Sequence, residues 1–208
     1  MLPSIEYATL LQYSPKGDSN LSQRSRDVRD AIKAGRMELM KGRMGEIIAE
    51  HRHQLGPFLN KDVTLVPIPR SSPIRKASLW PALEIANLLA DLGLGTVATC
   101  LVRNTAVKKS SFYPKADDRP SIAEHYASLA VEGLVPSQHI TLVDDILTLG
   151  RTAVAAGSRL ADRFPGATIR LFALMRTKGL DKDVDTILNV RLDKITYNPE
   201  NGKCRIKP

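Results

Sequence analysis

Two adjacent aspartates, Asp144 and Asp145, close the apolar run that begins at Ile140, and Thr148, Gly150 and Thr152 follow closely. A carboxylate accepts hydrogen bonds from neighbouring hydroxyls, which makes it a partner for a sugar and the wrong group for a phosphate. The loop has the opposite preference. Successive backbone N–H groups around Gly150 and Arg151, with the hydroxyls of Thr148 and Thr152, donate to a phosphate, and the dipole of a following helix favours its charge. Gly150 lets the backbone approach closely. A phosphate nest beside paired acids therefore spells a sugar phosphate. By itself an Asp-Asp pair after a strand is usually a solvated turn. The order strand, acids, loop, helix carries the functional reading, because in a parallel α/β sheet ligands bind at the carboxyl ends of strands, facing the next helix. Adjacent side chains on an extended strand point to opposite faces, so the two acids share a ligand only if the strand ends there and the loop re-aims one of them.

The segment Leu142-Val-Asp-Asp-Ile-Leu-Thr-Leu-Gly-Arg-Thr152 resembles the phosphoribosyl-pyrophosphate motif of type I phosphoribosyltransferases. Leu149 stands where most members carry a second Thr, a position that also contributes through its backbone. Val66-Pro-Ile-Pro69 is similar to the Val-Pro-Val-Pro pyrophosphate loop of the competence-associated, ComF-like branch. Leu101-Val-Arg103, Arg119 and Ala127-Ser-Leu129 are similar to its mobile-loop region, so the likeness spans residues 62–175. The branch's usual mobile-loop Gln is not evident and its cysteine zinc module is absent; Tyr13-Ser-Pro-Lys-Gly17 and the helices after it take that N-terminal place. The resemblance implies binding of phosphoribosyl pyrophosphate or a nucleotide with magnesium, and transfer of the phosphoribosyl group to an acceptor or hydrolysis at the anomeric carbon. It implies that Asp144 and Asp145 bind the ribose and stabilise positive charge growing at that carbon as pyrophosphate leaves. Thr148, Leu149, Gly150, Arg151 and Thr152 would hold the 5-phosphate, and Arg70 and Arg103 would donate to pyrophosphate. Lys108 and Lys109 would lie on a loop that closes over the substrate. Magnesium would be held mainly by the substrate's own oxygens.

The elements that must position these residues are legible as patterns. Apolar, β-branched runs predict strands over 63–68, 96–102, 140–143 and 168–175, and helical periodicity predicts helices over 79–92, 121–131 and 152–163. Strands alternating with helices indicate a parallel sheet covered on both faces. The stretch 103–119, with Ser110-Ser111, Pro114 and Asp117-Asp118, is too long and basic for an idle connection. Before it, helices are predicted over 22–34, closed by Gly35, and over 37–55, closed by Gly56-Pro57. The expected fold class is α/β: a central, mainly parallel sheet flanked by helices, which the resemblance makes a type I phosphoribosyltransferase fold. The expected organisation is a helical N-terminal extension or hood over 1–60, the core over 61–180, and a C-terminal extension over 181–208 in which Asn201-Gly202 marks a hairpin.

The 208-residue chain carries 30 Lys and Arg against 22 Asp and Glu, and its net charge of +8 favours anionic partners without choosing among metabolite, nucleic acid and acidic protein. The excess gathers at Arg70, Arg75, Lys76, Arg103, Lys108, Lys109, Lys115 and Arg119. Only 5% of residues are aromatic, and none is regularly interleaved with the basic stretches, which disfavours a stacking platform for nucleic acid. A content of 43% hydrophobic residues excludes disordered and fibrous classes. No apolar run approaches the roughly 18 residues that span a bilayer, so no membrane association is expected. Two cysteines make neither a disulfide framework nor a four-cysteine zinc site, and the start lacks the pattern of a signal peptide, so the expected compartment is a reducing cytoplasm. His51 and His53 do not face each other on a helix; His125 and His139 read as structural, Cys100 as a buried strand residue, and Arg24, Arg26 and Arg29 as an exposed helix face. Gly93-Leu-Gly95 precedes a strand, the reverse of a dinucleotide fingerprint. Two readings stand beside the transferase: a catalytically silent nucleotide sensor acting through a protein partner at the N-terminal helices, and a competence-type nucleic-acid-binding protein. A homodimer is expected because symmetric pairs are the commonest assembly.

Overall fold

Neighbouring apolar residues with opposite-facing side chains build the centre of the molecule: Leu65 and Val66, Leu142 and Val143, Leu171 and Phe172 are all fully buried. In each pair one side chain packs on either face, the pattern of strands covered on both sides. The computed structural model describes residues 1–73, 78–108, 119–179 and 182–206, the side chains of 38 and 39 excepted. Arg75, Lys76, Lys109 and Lys115, with 109–118 of the expected loop, lie outside the described residues.

The strands are β1 (Ser4–Tyr13), β2 (Thr64–Pro67), β3 (Thr96–Val97), β4 (Leu101–Arg103), β5 (Leu129–Val131), β6 (His139–Leu147), β7 (Thr168–Thr177), β8 (Leu188–Asn198) and β9 (Lys203–Ile206). Seven form one sheet in the order β3-β2-β6-β7-β1-β8-β9. The first five of that order run parallel, and the hairpin β8–β9 adds antiparallel to β1. Helices α1 (Asn20–Lys33), α2 (Glu38–Glu50), α3 (Arg52–Leu55) and α4 (Pro81–Asp91) bury Ile32, Ile47, Leu55 and Leu89 against one face. Helices α5 (Ile122–Ala127) and α6 (Arg151–Arg163) bury Ile122, Val154 and Leu160 against the other. Both helix-covered faces and the C-terminal hairpin follow the expectation for an α/β chain.

The N-terminal expectation is corrected. Residues 1–60 are not purely helical, because β1 lies inside the sheet between β7 and β8. Ile5, Tyr7, Ala8 and Leu10 are all at most 2% exposed, so this strand belongs to the core and not to a hood. The strand predicted over 96–102 divides: β3 pairs with β2 at the sheet edge, and β4 pairs with β5 in a small antiparallel sheet. The helix predicted over 121–131 is likewise cut to α5, which starts on a Ser121–Glu124 capping box. It stops where the Ser128 hydroxyl donates to the His125 carbonyl at 2.7 Å, and Leu129–Val131 turns to satisfy the edge of β4. Among the described residues no helix is long and apolar enough to cross a membrane.

The strand order has one functional consequence. From β2 the chain winds through α4 outward to β3, whereas from β6 it winds through α6 the other way to β7. Winding reverses between β2 and β6, and in open α/β sheets the crevice at such a reversal is where ligands bind.

Candidate functional site

The ladder between β2 and β6 ends at Pro67 and Val143, after which the Ile68 N–H donates to the Val143 carbonyl at 2.8 Å. Beyond that bond β6 continues alone on this side, and a cleft of about 730 Å³ opens over its carboxyl end. Asp144 and Asp145 both line it. The expectation that the strand must end before the acids is corrected, since β6 runs on to Leu147. What has ended is its neighbour, and a ligand at an open strand edge meets side chains from both faces. The Asp144 carboxylate accepts the Asp145 N–H at 2.9 Å, and that of Asp145 accepts the Ile146 N–H at 2.9 Å. Burial first, and then the charge of Asp145, pushes the Asp144 carboxyl well above the ordinary carboxylate range.

Arg103 comes from the end of β4 and is only 5% exposed. Its Nε donates to the Arg70 carbonyl at 2.5 Å and its Nη1 to the Ser128 hydroxyl. Burial lowers its pKa to about 10 against the opposing attraction of Asp144. A guanidinium has five N–H donors, so Arg103 keeps some for a ligand. Arg70 is exposed, and its Nη1 donates to the Leu79 carbonyl at 2.7 Å, which ties it to the start of α4. The Trp80 indole N–H, donating to the Ile68 carbonyl at 2.8 Å, pins the same turn from inside. Lys108 lines the cleft; Lys109 lies outside the described residues.

Thr148, Leu149, Gly150, Arg151 and Thr152 line the cleft where β6 passes into α6. Gly150 caps α6 with φ +74°, in the left-handed region that favours glycine. The structure adds a packing role: a Cβ there would stand 2.8 Å from Ile195 Cγ2, so the glycine makes room for β8. The Arg151 side chain turns away from the loop, its Nη1 donating to the Arg119 carbonyl at 2.8 Å and to the Pro120 carbonyl at 3.2 Å. The backbone of residue 151, at the start of a 13-residue helix, remains the donor offered to an anion. The Thr148 hydroxyl is exposed and accepts from that of Thr177 at 3.3 Å.

Sequence reasoning missed Tyr13, Arg29, Lys33 and His125, which line the cleft as well. Arg29 and Lys33 stand one turn apart on α1, and that spacing, read with Arg26, was the available signal. The face is not idle surface: Arg26 Nη1 holds the Gly17 carbonyl at 2.8 Å, and the Arg29 guanidinium lies 5.6 Å from the Tyr13 ring centre. His125 is buried, and desolvation, followed by the nearby Arg103 charge, pulls its pKa down to about 4. Both cysteines are free, and burial raises both thiols, that of Cys204 to about 11, so neither is a ready nucleophile.

Taken together, the cleft offers two carboxylates, a helix N-terminus behind a glycine and several cations, which suits a ligand with hydroxyl groups at its middle and anionic groups at its ends. Compared with known protein families, curated proteins and solved structures, the chain finds no match.

Proposed function

We propose that the chain is a phosphoribosyltransferase-like protein that binds phosphoribosyl pyrophosphate with magnesium in this cleft and transfers the phosphoribosyl group to an acceptor. One observation carries the reading: the acid pair, the N-terminus of α6 and buried Arg103 converge on one cleft at the winding reversal of the sheet. The ribose hydroxyls donate to Asp144 and Asp145, and the 5-phosphate accepts backbone N–H groups from residues 150–152. Pyrophosphate lies towards Arg103 and Arg70, whose positive charge favours its departure. As the bond from the anomeric carbon to pyrophosphate breaks, positive charge grows on the sugar, and two carboxylates beside it stabilise that charge. Lys33, whose attraction already acts on Asp144, keeps the pair from repelling the anionic ends of the substrate.

Magnesium suits this donor set. It is commonly held by substrate phosphate oxygens with one or two carboxylates nearby, and the substrate's own oxygens would carry it beside Asp144 and Asp145. Among the described residues no group of three or more His, Cys, Asp or Glu is placed to cage a metal. When bound, the ion neutralises charge on the leaving pyrophosphate.

The test is calorimetry with phosphoribosyl pyrophosphate and magnesium, followed by assay of pyrophosphate release across a panel of nitrogenous acceptors and with water. Wild type should bind, and Asp144→Asn with Asp145→Asn should bind at least a hundredfold more weakly while remaining folded. Equal affinity in the folded double variant would remove the site, and binding without release for any acceptor or water would favour the nucleotide sensor.

A further inference from the structure

A second hollow of about 690 Å³ backs onto the first cleft, with Arg119, Leu147, Thr148, Leu149 and Thr177 lining both. It lies where the ends of β7, β1, β8 and β9 meet, and its cations are Arg119, Arg176, Lys178, Lys182, Arg191 and Arg205. Two of these are matched: Lys178 Nζ lies 2.5 Å from Asp185 and Arg191 Nη2 lies 2.9 Å from Asp193. Among the described residues the other four meet no carboxylate at ion-pair distance.

Arg176 shows most clearly what the hollow lacks. Its Nη2 donates to Gln12 Oε1 at 2.8 Å and to Asn189 Oδ1 at 2.7 Å, both neutral amide oxygens. Its Nε is buried and, among the described residues, has no hydrogen-bond partner, as is also true of Arg119 Nε. Burial and the neighbouring Arg191 charge both disfavour the protonated form of Arg176. A half-buried guanidinium oriented by amides, beside a second guanidinium, is electrostatically unbalanced until an anion joins it. Leu147, Leu149 and Ile206 give the wall an apolar stretch, beside the neutral polar groups of Gln12, Thr177 and Asn189. A hollow with an apolar wall and convergent polar groups, within the usual range of about 300–1,000 Å³, has the character of a small-molecule site.

We propose that this hollow is a second ligand site, which takes a phosphorylated organic molecule of about nucleotide size. Its phosphoryl oxygens meet Arg176, Lys182 and Arg205, and its apolar part rests on Leu147, Leu149 and Ile206. The binding stands independently of what the first cleft holds. If the first cleft holds a sugar phosphate, the shared residues Thr148 and Leu149 make occupancy of either site felt by the other, with the reciprocity that linkage requires.

The test is calorimetric titration of ATP, without added metal, into four full-length proteins. These are wild type, Lys182→Glu with Arg205→Glu, Arg176→Gln, and Asp144→Asn with Asp145→Asn. Lys182 and Arg205 are exposed, so their variant should keep the wild-type Tm. At least tenfold weaker ATP binding is expected in that variant and in Arg176→Gln, with wild-type affinity retained in the aspartate variant. ATP affinity insensitive to Lys182 and Arg205, or absence of ATP binding at millimolar concentration, overturns the site. Loss confined to the aspartate variant assigns ATP to the first cleft and also overturns it. Inorganic phosphate competing as well as ATP would overturn the organic part of the assignment. Should Arg176→Gln fail to fold, the exposed pair decides alone.

Discussion

At the scale of single residues, the site stores charges that the empty protein would be better off without. The Asp144 carboxyl is raised above its ordinary range, so the folded chain retains a proton that the unfolded chain releases. Stability of the free protein therefore falls as pH rises through that window. Asp144→Asn removes the penalty, and thermal unfolding at neutral pH should move up by about 2–4 °C, the shift that about 1 kcal/mol gives in a chain of this size. On the proposed function the same variant should bind phosphoribosyl pyrophosphate more weakly; a lower Tm would show that the carboxylate is not a strained group. His125 acts with the opposite sign. Its folded pKa of about 4 lies below the ordinary 6.5, so its contribution is complete above pH 6.5 and is lost as pH falls towards 4. The full difference is about 3 kcal/mol. The charges facing it are Arg103, Glu124 and Arg151, and burial is the first cause. His125→Gln should flatten the acid limb of the stability curve measured by urea unfolding between pH 4 and 7, and an unchanged limb would refute the assignment.

At the scale of elements, the loop between β6 and α6 depends on the C-terminal hairpin. Gly150→Ala combines a positive φ with an approach of 2.8 Å to Ile195 Cγ2, and should cost about 1–3 kcal/mol. Adding Ile195→Ala removes the obstructing atoms. The double variant should be less destabilised than the sum of the singles by about 1 kcal/mol in chemical denaturation, and strict additivity would deny the contact. This coupling could not be read from the sequence, because the Cβ direction at Gly150 and the neighbour it would strike are facts of tertiary packing. The β2, β6 and β7 strands, α1, α4, α6 and the hairpin were legible, since each carries an apolar, β-branched run, a helical period or an Asn-Gly turn. Strand β1 was not, because Glu6, Thr9 and Gln12 interrupt its apolar residues, so Ile5-Glu-Tyr-Ala-Thr-Leu-Leu-Gln-Tyr13 shows neither an apolar run nor a clean period. The acid pair and its loop were legible as local order. The basic face of Arg29 and Lys33 on α1 was legible as a helical spacing but not as part of the site, because the position of β1 in the sheet brings that helix over the cleft.

At the scale of the whole molecule, the C-terminal hairpin is part of the sheet. Ile195 is fully buried, and β8 pairs with β1 along most of its length. A chain stopped after residue 187 should lose its cooperative thermal transition, whereas one stopped after residue 200, which lacks only β9, should keep it at a lower Tm. Retention of the transition in the shorter chain would mean that β8 is dispensable. The net charge of +8 should also make affinity for any anion in either hollow fall with added salt, since charges at the mouths are screened over about 10 Å at 0.1 M. The place of β1 has a further consequence for how the chain comes to be folded. Glu6 of β1 stands beside Arg170 of β7, 164 positions later, and the opposite edge of β1 needs β8, which is made later still. At about 5–20 residues per second, synthesis leaves the first strand waiting on the order of ten seconds or more for both neighbours. During that interval an apolar segment that ends in the middle of the sheet has unpaired backbone on both edges, so the nascent protein is at its most vulnerable to misassociation before its last strands emerge.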